Sequence, residues 1–499
     1  MEMAGPREGM GFIELFAGAG GMGMGLEAAG MDHMLSFELA EEPHSVLVHA
    51  GKEAVRMDLQ DVAEACFAMT EQPDIIVGGP PCQDFSRAGL RVRGERAEMT
   101  KIFAQIICVQ RPQWFMFENV PEAATSSEYR YARGLWKRHG YGLTEVVENA
   151  SFHGVPQRRN RFFCIGRLNE RDGFLTSAIV AARSKLPTVM RDILNPKNYP
   201  EDKELLEKGY FFARPWSGKT GEVGGRGVLS INETCYTLTH TTHETPGPSY
   251  VAHPDDAIPA RQAMLLAPSQ VARVQGFAAD YDFRRKKFKY AREGHSDKAV
   301  AQMIANAVPV TLAQALGKCI SDRHYGHSIP ALDKGFTAFL KLPDSITGKK
   351  RSDAAIYNIR TRLNAARRML QGRMFANIAL EIQALENSDG FDKLNFREQS
   401  DLRAVLRLHH EYCATLPPSP YAPAPQPVPD FGRTHQRKPK KLQVRRKKKG
   451  AALLPTVERT ILETASSLNL NAGGDEFERS SGVPDDVLEL LLEGYDDES

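Results

Sequence analysis

Phe12-Ile13-Glu14-Leu15-Phe16-Ala17-Gly18-Ala19-Gly20-Gly21 is a β-prone run that breaks into a turn of small residues, and a helical pattern from Met22 to Ala29 follows it. Small residues at such a turn let a ligand approach the backbone and the amino terminus of the helix, which favours a carboxylate or phosphate. A glycine turn alone is equally a tight strand-to-helix connection, so its neighbours decide. The alternation continues through Met34–Phe37, a helix from about Glu42, Asp74–Val77, a helix from Glu98 to Val109, Trp114–Phe117 and Arg161–Ile165. Strands alternating with helices predict an α/β fold with a doubly wound, Rossmann-like sheet. Ligands of such sheets bind beyond the carboxyl ends of the strands. Glu38, just past the second run, is placed to hydrogen-bond ribose hydroxyls, and Asp58, at the third, to meet an adenine amino group.

Two further strand ends carry reactive groups. Gly78-Gly79-Pro80-Pro81-Cys82-Gln83 follows Asp74–Val77, and its prolines fix φ and remove two backbone donors, so the thiol is held on a stiff turn. Trp114-Phe115-Met116-Phe117-Glu118-Asn119-Val120 brings a carboxyl to the next strand end. Together they point to covalent catalysis. A lone cysteine is more often buried and inert, which is the reading for Cys66, Cys108, Cys164, Cys235, Cys319 and Cys413; the stiff turn sets Cys82 apart.

Working outward, 499 residues suggest about three domains. Seven cysteines without a C-x-x-C pair read as a reduced, cytosolic chain with no zinc or other metal site. No apolar stretch approaches the ~18 residues of a membrane span, and the amino terminus lacks a secretory apolar core, so a soluble, cytoplasmic protein is expected. Residues 1–186 form the first part of the α/β domain. From 187 to 259 the pattern dissolves into Gly, Pro, Thr and aromatics, as in Arg214-Pro215-Trp216, and reads as a smaller, loop-rich domain. Helical periodicity at Pro268–Gln275 and Ala299–Leu316 returns the chain to the first domain over 260–325. Apolar positions Ile356, Ile359, Leu363, Ala366 and Leu370 predict a small helical domain over 350–415. Residues 416–499 are Pro-rich, then basic (Arg433 to Lys449), then acidic (Asp475 to Ser499), a composition that cannot pack a core. That basic run, together with Arg360, Arg362, Arg367 and Arg368 around the apolar positions from Ile356 to Leu370, offers sequence-independent phosphate contacts, with a solvated tail as the plain alternative.

With these elements in order, the chain resembles the DNA (cytosine-5)-methyltransferases. The glycine loop Phe16 to Gly21 matches that family's S-adenosylmethionine loop, and Pro81-Cys82-Gln83 its nucleophile element. Glu118-Asn119-Val120 matches its Glu-Asn-Val, Gln157, Arg159 and Arg161 its Gln-x-Arg-x-Arg, and Arg273–Phe277 and Gln302–Pro309 its two late elements. The resemblance implies a methyltransferase sheet, a target-recognition domain at 187–259 and a C-terminal helical extension it does not cover. It implies cofactor contacts from Phe16, Gly18, Gly20, Gly21, Glu38, Asp58, Pro81 and Asn306, catalytic roles for Cys82, Glu118, Arg159 and Arg161, and substrate contacts from Gln83, Ser86, Gln157, Arg226, Thr237 and Leu238. Ala305, Val310, Ala267 and Gln270 stand where the family commonly has Gly, Pro, Thr and Glu.

The implied reaction explains the residue types. Carbon 5 of cytosine is a poor nucleophile until a thiolate, here Cys82, adds to carbon 6. A carboxyl with raised pKa, Glu118, would relieve charge at ring nitrogen 3. Arg161 would hold the cytosine carbonyl oxygen, and Arg159 would stabilise the thiolate. The base must be flipped from the duplex. The expected partner is double-stranded DNA, with the chain a nucleoid-associated monomer of a phage or of a restriction-modification system that includes a cognate endonuclease. An RNA cytosine-5 methyltransferase and a non-catalytic DNA-binding regulator are the alternatives. The long stretch Pro187–Pro259 argues against the first, and Cys82, Glu118, Arg159 and Arg161 together against the second.

Overall fold

The computed structural model describes residues 9–81, 95–213, 226–241, 252–284, 293–327, 334–343 and 348–416. β1 (Gly11–Leu15) is buried along its whole length, as a strand covered on both faces must be. Phe16 and Gly18 then take left-handed backbone, φ 56° and 55°, which turns the chain into α1 (Gly21–Ala28). Glycine is required along α1 by close approach: a Cβ at Gly21 would lie 2.5 Å from the Val308 carbonyl oxygen, and one at Gly25 2.4 Å from that of Val310.

The chain continues through β2 (Asp32–Glu38), α2 (Glu41–His49), β3 (Ala54–Arg56), α3 (Val62–Ala68), β4 (Ile75–Gly78), α4 (Glu95–Gln110), β5 (Trp114–Asn119), α5 (Ser127–Arg138), β6 (Tyr141–Asn149), β7 (Gln157–Arg158) and β8 (Asn160–Leu168). The main sheet has the order β3-β2-β1-β4-β5-β8-β6. β1 to β5 are mutually parallel, whereas β8 runs antiparallel between β5 and β6. The predicted doubly wound α/β sheet is therefore present, with an antiparallel edge that the alternation did not reveal. The strand order reverses between β1 and β4, so their carboxyl ends frame the crevice where such folds receive ligands. Beneath it, Phe103, Phe115, Phe117, Tyr129, Trp136 and Phe162 pack in mostly edge-to-face contacts, Phe117 on Tyr129 being tilted.

Next come α6 (Thr176–Ala182), α7 (Pro200–Lys208), β9 (Tyr210–Phe212), β10 (Val228–Ser230), β11 (Cys235–Tyr236), α8 (Pro268–Val274), α9 (Asp297–Asn306) and α10 (Val310–His324). β9 and β10 form an antiparallel pair, and Phe211 also bridges to Met264, so residues beyond 259 pack with the loop-rich unit. β11 pairs in parallel with β7, which sews that unit to the main domain. By length and composition Asp297–His324 is apolar enough to cross a membrane, a stretch the sequence reading passed over. Its most apolar 18-residue window is 67% buried within the protein, and Pro309 separates α9 from α10.

α11 (Lys334–Lys341) precedes the 350–415 stretch read as helical and packs with α12 (Asp353–Met369), α13 (Ile378–Glu386) and α14 (Phe396–Ala414), which lie within it, around Leu363, Leu385, Leu406 and Tyr412. Arg367 is buried there against Glu381 and donates to His409 Nδ1 at 3.0 Å. The extension joins the main domain at Glu170, a fully buried carboxylate beside Arg167 (3.1 Å), Arg323 (3.4 Å) and the Met374 N–H (2.9 Å). The tail beyond Leu416 lies outside the described residues.

Candidate active site

The carboxyl ends of β1, β2, β4 and β5 open on one cavity of about 490 Å³. It brings Phe16, Gly18, Glu38, Asp58, Pro81 and Asn306 of the predicted cofactor set together with Glu118, Arg159 and Arg161. Gly20 and Gly21 lie behind it, capping and starting α1. Glu38 braces the glycine turn: one carboxylate oxygen accepts the Gly18 N–H and the other the Ala40 N–H, both at 2.8 Å. Each oxygen keeps lone-pair capacity for a hydroxyl. Asp58, exposed just past β3, accepts the Gln60 N–H at 3.1 Å. Asn306 closes α9, its side-chain oxygen accepting from Gln302 at 2.7 Å.

On the opposite wall, Glu118 is 8% exposed near the end of β5, with Oε1 3.0 Å from Arg161 Nε. Burial pushes its carboxyl above the usual range, while the charges of Arg161 and Arg159 pull back. A Cβ on Gly79 would lie 2.7 Å from Glu118 Oε2, so only bare backbone fits beneath the carboxyl. Asn119 donates to the Pro80 carbonyl at 3.2 Å and accepts from the Val120 N–H at 2.8 Å. The end of β5 thus grips the Pro80-Pro81 turn. Cys82, Gln83 and Ser86 lie outside the described residues.

Arg159, 2% exposed, donates from Nη2 to the carbonyls of Ala305 (2.9 Å) and Ala307 (3.1 Å), so it fixes the segment that carries Asn306. Arg161 also donates to the Asn160 carbonyl at 2.8 Å. Gln157, expected to touch substrate, is fully buried. Its amide donates to Gln275 at 2.6 Å and accepts the Leu238 N–H at 2.8 Å, making it a strut between β7, β11 and α8. Leu238 is buried with it, whereas Thr237 stays exposed and donates to the Arg158 carbonyl at 2.9 Å. Arg226 is half-buried in an ion pair with Glu233. In place of the family's acid, Gln270 accepts the Ala267 N–H at 2.8 Å and donates to Asp202 at 3.0 Å.

Glu14, which sequence reasoning did not single out, also lines the cavity, and burial raises its carboxyl to about 8. Its signal was an acid inside the apolar run Phe12-Ile13-Glu14-Leu15.

Fold and pocket define a doubly wound α/β protein with one deep, carboxyl-lined cleft at its switch point. Residues 10–322 match the family model of C-5 cytosine-specific DNA methylases, and the chain belongs to that enzyme family. It is 31% identical over 312 residues to the Type II methyltransferase M.HindV of Haemophilus influenzae, covering 62% of this chain and 95% of that one. It is 32% identical over 304 residues to the Type II methyltransferase M.HgiDI of Herpetosiphon aurantiacus, covering 60% and 91%. Both matches cover less than two thirds of the 499 residues.

Proposed function

We propose that the chain transfers a methyl group from S-adenosylmethionine to carbon 5 of a cytosine flipped out of a specific double-stranded DNA sequence, within a restriction-modification system. The observation that carries this reading is the buried Glu118–Arg161 pair, which faces the same cavity as the glycine turn, Glu38 and the prolines leading into Cys82. The donors fit the cofactor: Glu38 suits ribose hydroxyls, Asp58 an adenine amino group, and the backbone of the glycine turn a carboxylate. When bound, S-adenosylmethionine supplies an electrophilic methyl group. Cys82 adds to carbon 6, which makes carbon 5 nucleophilic. Glu118, whose protonated form burial favours, donates at ring nitrogen 3 as charge develops there. Arg161 orients Glu118 and meets the ring carbonyl oxygen. Arg159 acts through the Asn306 segment, and water removes the carbon-5 proton before Cys82 leaves. Thr237 and Arg226 belong to the recognition side of the cleft.

Bisulfite sequencing of DNA from cells expressing the chain tests this. Protected cytosines confined to one short duplex motif are expected. Their absence, with methyl label appearing in RNA instead, would replace the substrate.

A further inference from the structure

Glu14 is a second buried carboxyl on the same cavity, and the reaction above gives it no task. It is 3% exposed, on the wall shared with Phe16, Met22 and Glu38. Its Oε1 accepts the Gly23 N–H of α1 at 3.2 Å, and a Cβ on Gly23 would lie 2.5 Å from Oε2. Among the described residues no cation pairs with it; Lys52, the basic group whose charge bears on it, is paired with Glu27. The charged and titratable groups around it are Glu27 of α1, Glu38 and His33 of β2, Lys52 beyond α2, and Tyr281. The cleft meant for a sulfonium cofactor therefore holds a buried acid without a resident counter-charge.

We propose that Glu14 is a proton-linked sensor of positive charge in the cofactor cleft: neutral before binding, it ionises when the methylsulfonium of S-adenosylmethionine arrives, so the cleft favours cofactor over demethylated product. The inference rests on S-adenosylmethionine being the methyl donor. Burial is the main cause that raises Glu14 to about 8; the Gly23 N–H opposes it, Glu27 and Glu38 add to it, and Lys52 opposes it weakly. At pH 7 such a carboxyl keeps its proton in about nine molecules of ten. A nearby cation favours the carboxylate. The O–H bond breaks, its electron pair stays on Glu14 and the proton passes to water. Methyl transfer leaves a neutral thioether, and Glu14 then takes a proton back from water. Affinity for the cofactor consequently rises with pH, by up to about tenfold per unit, and levels off above the Glu14 titration. S-adenosylhomocysteine, with the same adenosine and amino-acid groups but no sulfonium, should show almost no rise.

Isothermal titration calorimetry of the full chain at pH 7, in buffers of different ionisation enthalpy, counts the protons. S-adenosylmethionine should release close to one more proton than S-adenosylhomocysteine, and Glu14→Gln should abolish that difference and most of the affinity preference. Equal counts in the wild type, or a difference that survives in Glu14→Gln, would overturn the inference alone. Failure of S-adenosylmethionine to bind would overturn the cofactor reading with it. The wild type carries an independent test that needs no variant. Its affinity ratio for the two ligands should climb several-fold from pH 6 to pH 8, and a flat ratio would overturn the proposal.

Discussion

Glu118 and Glu14 are both buried acids of one cleft, yet their neighbours set them different tasks. Glu118 has Arg161 at 3.0 Å to pull against the effect of its burial, whereas Glu14, among the described residues, is met by the Gly23 N–H and by no cation. Because burial raises Glu118, its protonated form persists above the ordinary glutamate range and is lost as pH rises through the shifted value. Methyl transfer should accordingly fall on the alkaline side of that titration. Glu118→Gln should lose kcat by about 10²–10⁴-fold and flatten the limb, as expected for a lost acid catalyst. Steady-state rates from pH 5 to pH 9 check both, and an unchanged limb in the variant would assign it to another group. At this scale the sequence was legible wherever a reactive type sat alone at a strand end, as with Glu38 and Glu118. It was not legible for Gln157, because nothing in Gln-x-Arg-x-Arg tells an amide facing substrate from one locked against Gln275 and Leu238.

Strand ends are what these residues share. The parallel strands deliver their carboxyl termini to one edge, and the site is assembled there from residues far apart in sequence. Gly79 is the joint that bears on the catalytic carboxyl, with Glu118 Oε2 2.7 Å from where a Cβ would stand. Gly79→Ala must push the carboxyl away from Arg161, so methyl transfer should drop at least about tenfold while the melting temperature changes little, since misplacing a catalytic group by an ångström can cost about 10²-fold. Kinetics alongside thermal melts separate this from unfolding, and full activity would show that the carboxyl position is not critical. Alternation made β1, β2, β4 and β5 visible. β6 was hidden because Tyr141–Asn149 carries Glu145, whose side chain is almost wholly covered, and Arg133 (2.9 Å) and the Tyr129 hydroxyl (2.6 Å), both from α5, help make that burial tolerable. A partner in another element leaves no trace in local periodicity.

Across the whole molecule, the family match ends at residue 322, but the fold does not stop there. Glu170 ties β8, α10 and the loop before α13 into one buried cluster, and Arg171 donates to the Met374 sulfur at 3.0 Å beside it. Removing the carboxylate leaves Arg167 and Arg323 buried without their shared counter-charge. Glu170→Ala should cost about 3–5 kcal/mol of stability. Urea denaturation followed by fluorescence checks this, and an unshifted midpoint would mean the extension is not held by the cluster. The helices of the extension were legible from apolar spacing, but the docking was not, since it depends on a buried carboxylate, Glu170, and a backbone N–H, that of Met374, 204 positions apart.

The account as a whole turns on Cys82 bonding to the cytosine ring in the cleft that Glu118 lines. Duplex DNA carrying 5-fluorocytosine at the methylated position tests this directly, because fluorine cannot leave as the carbon-5 proton does. With S-adenosylmethionine present, the wild type should form an adduct that survives denaturation and maps to Cys82, and Cys82→Ala should form none. An enzyme that methylates the ordinary duplex but yields no adduct with the fluorinated one would contradict the account.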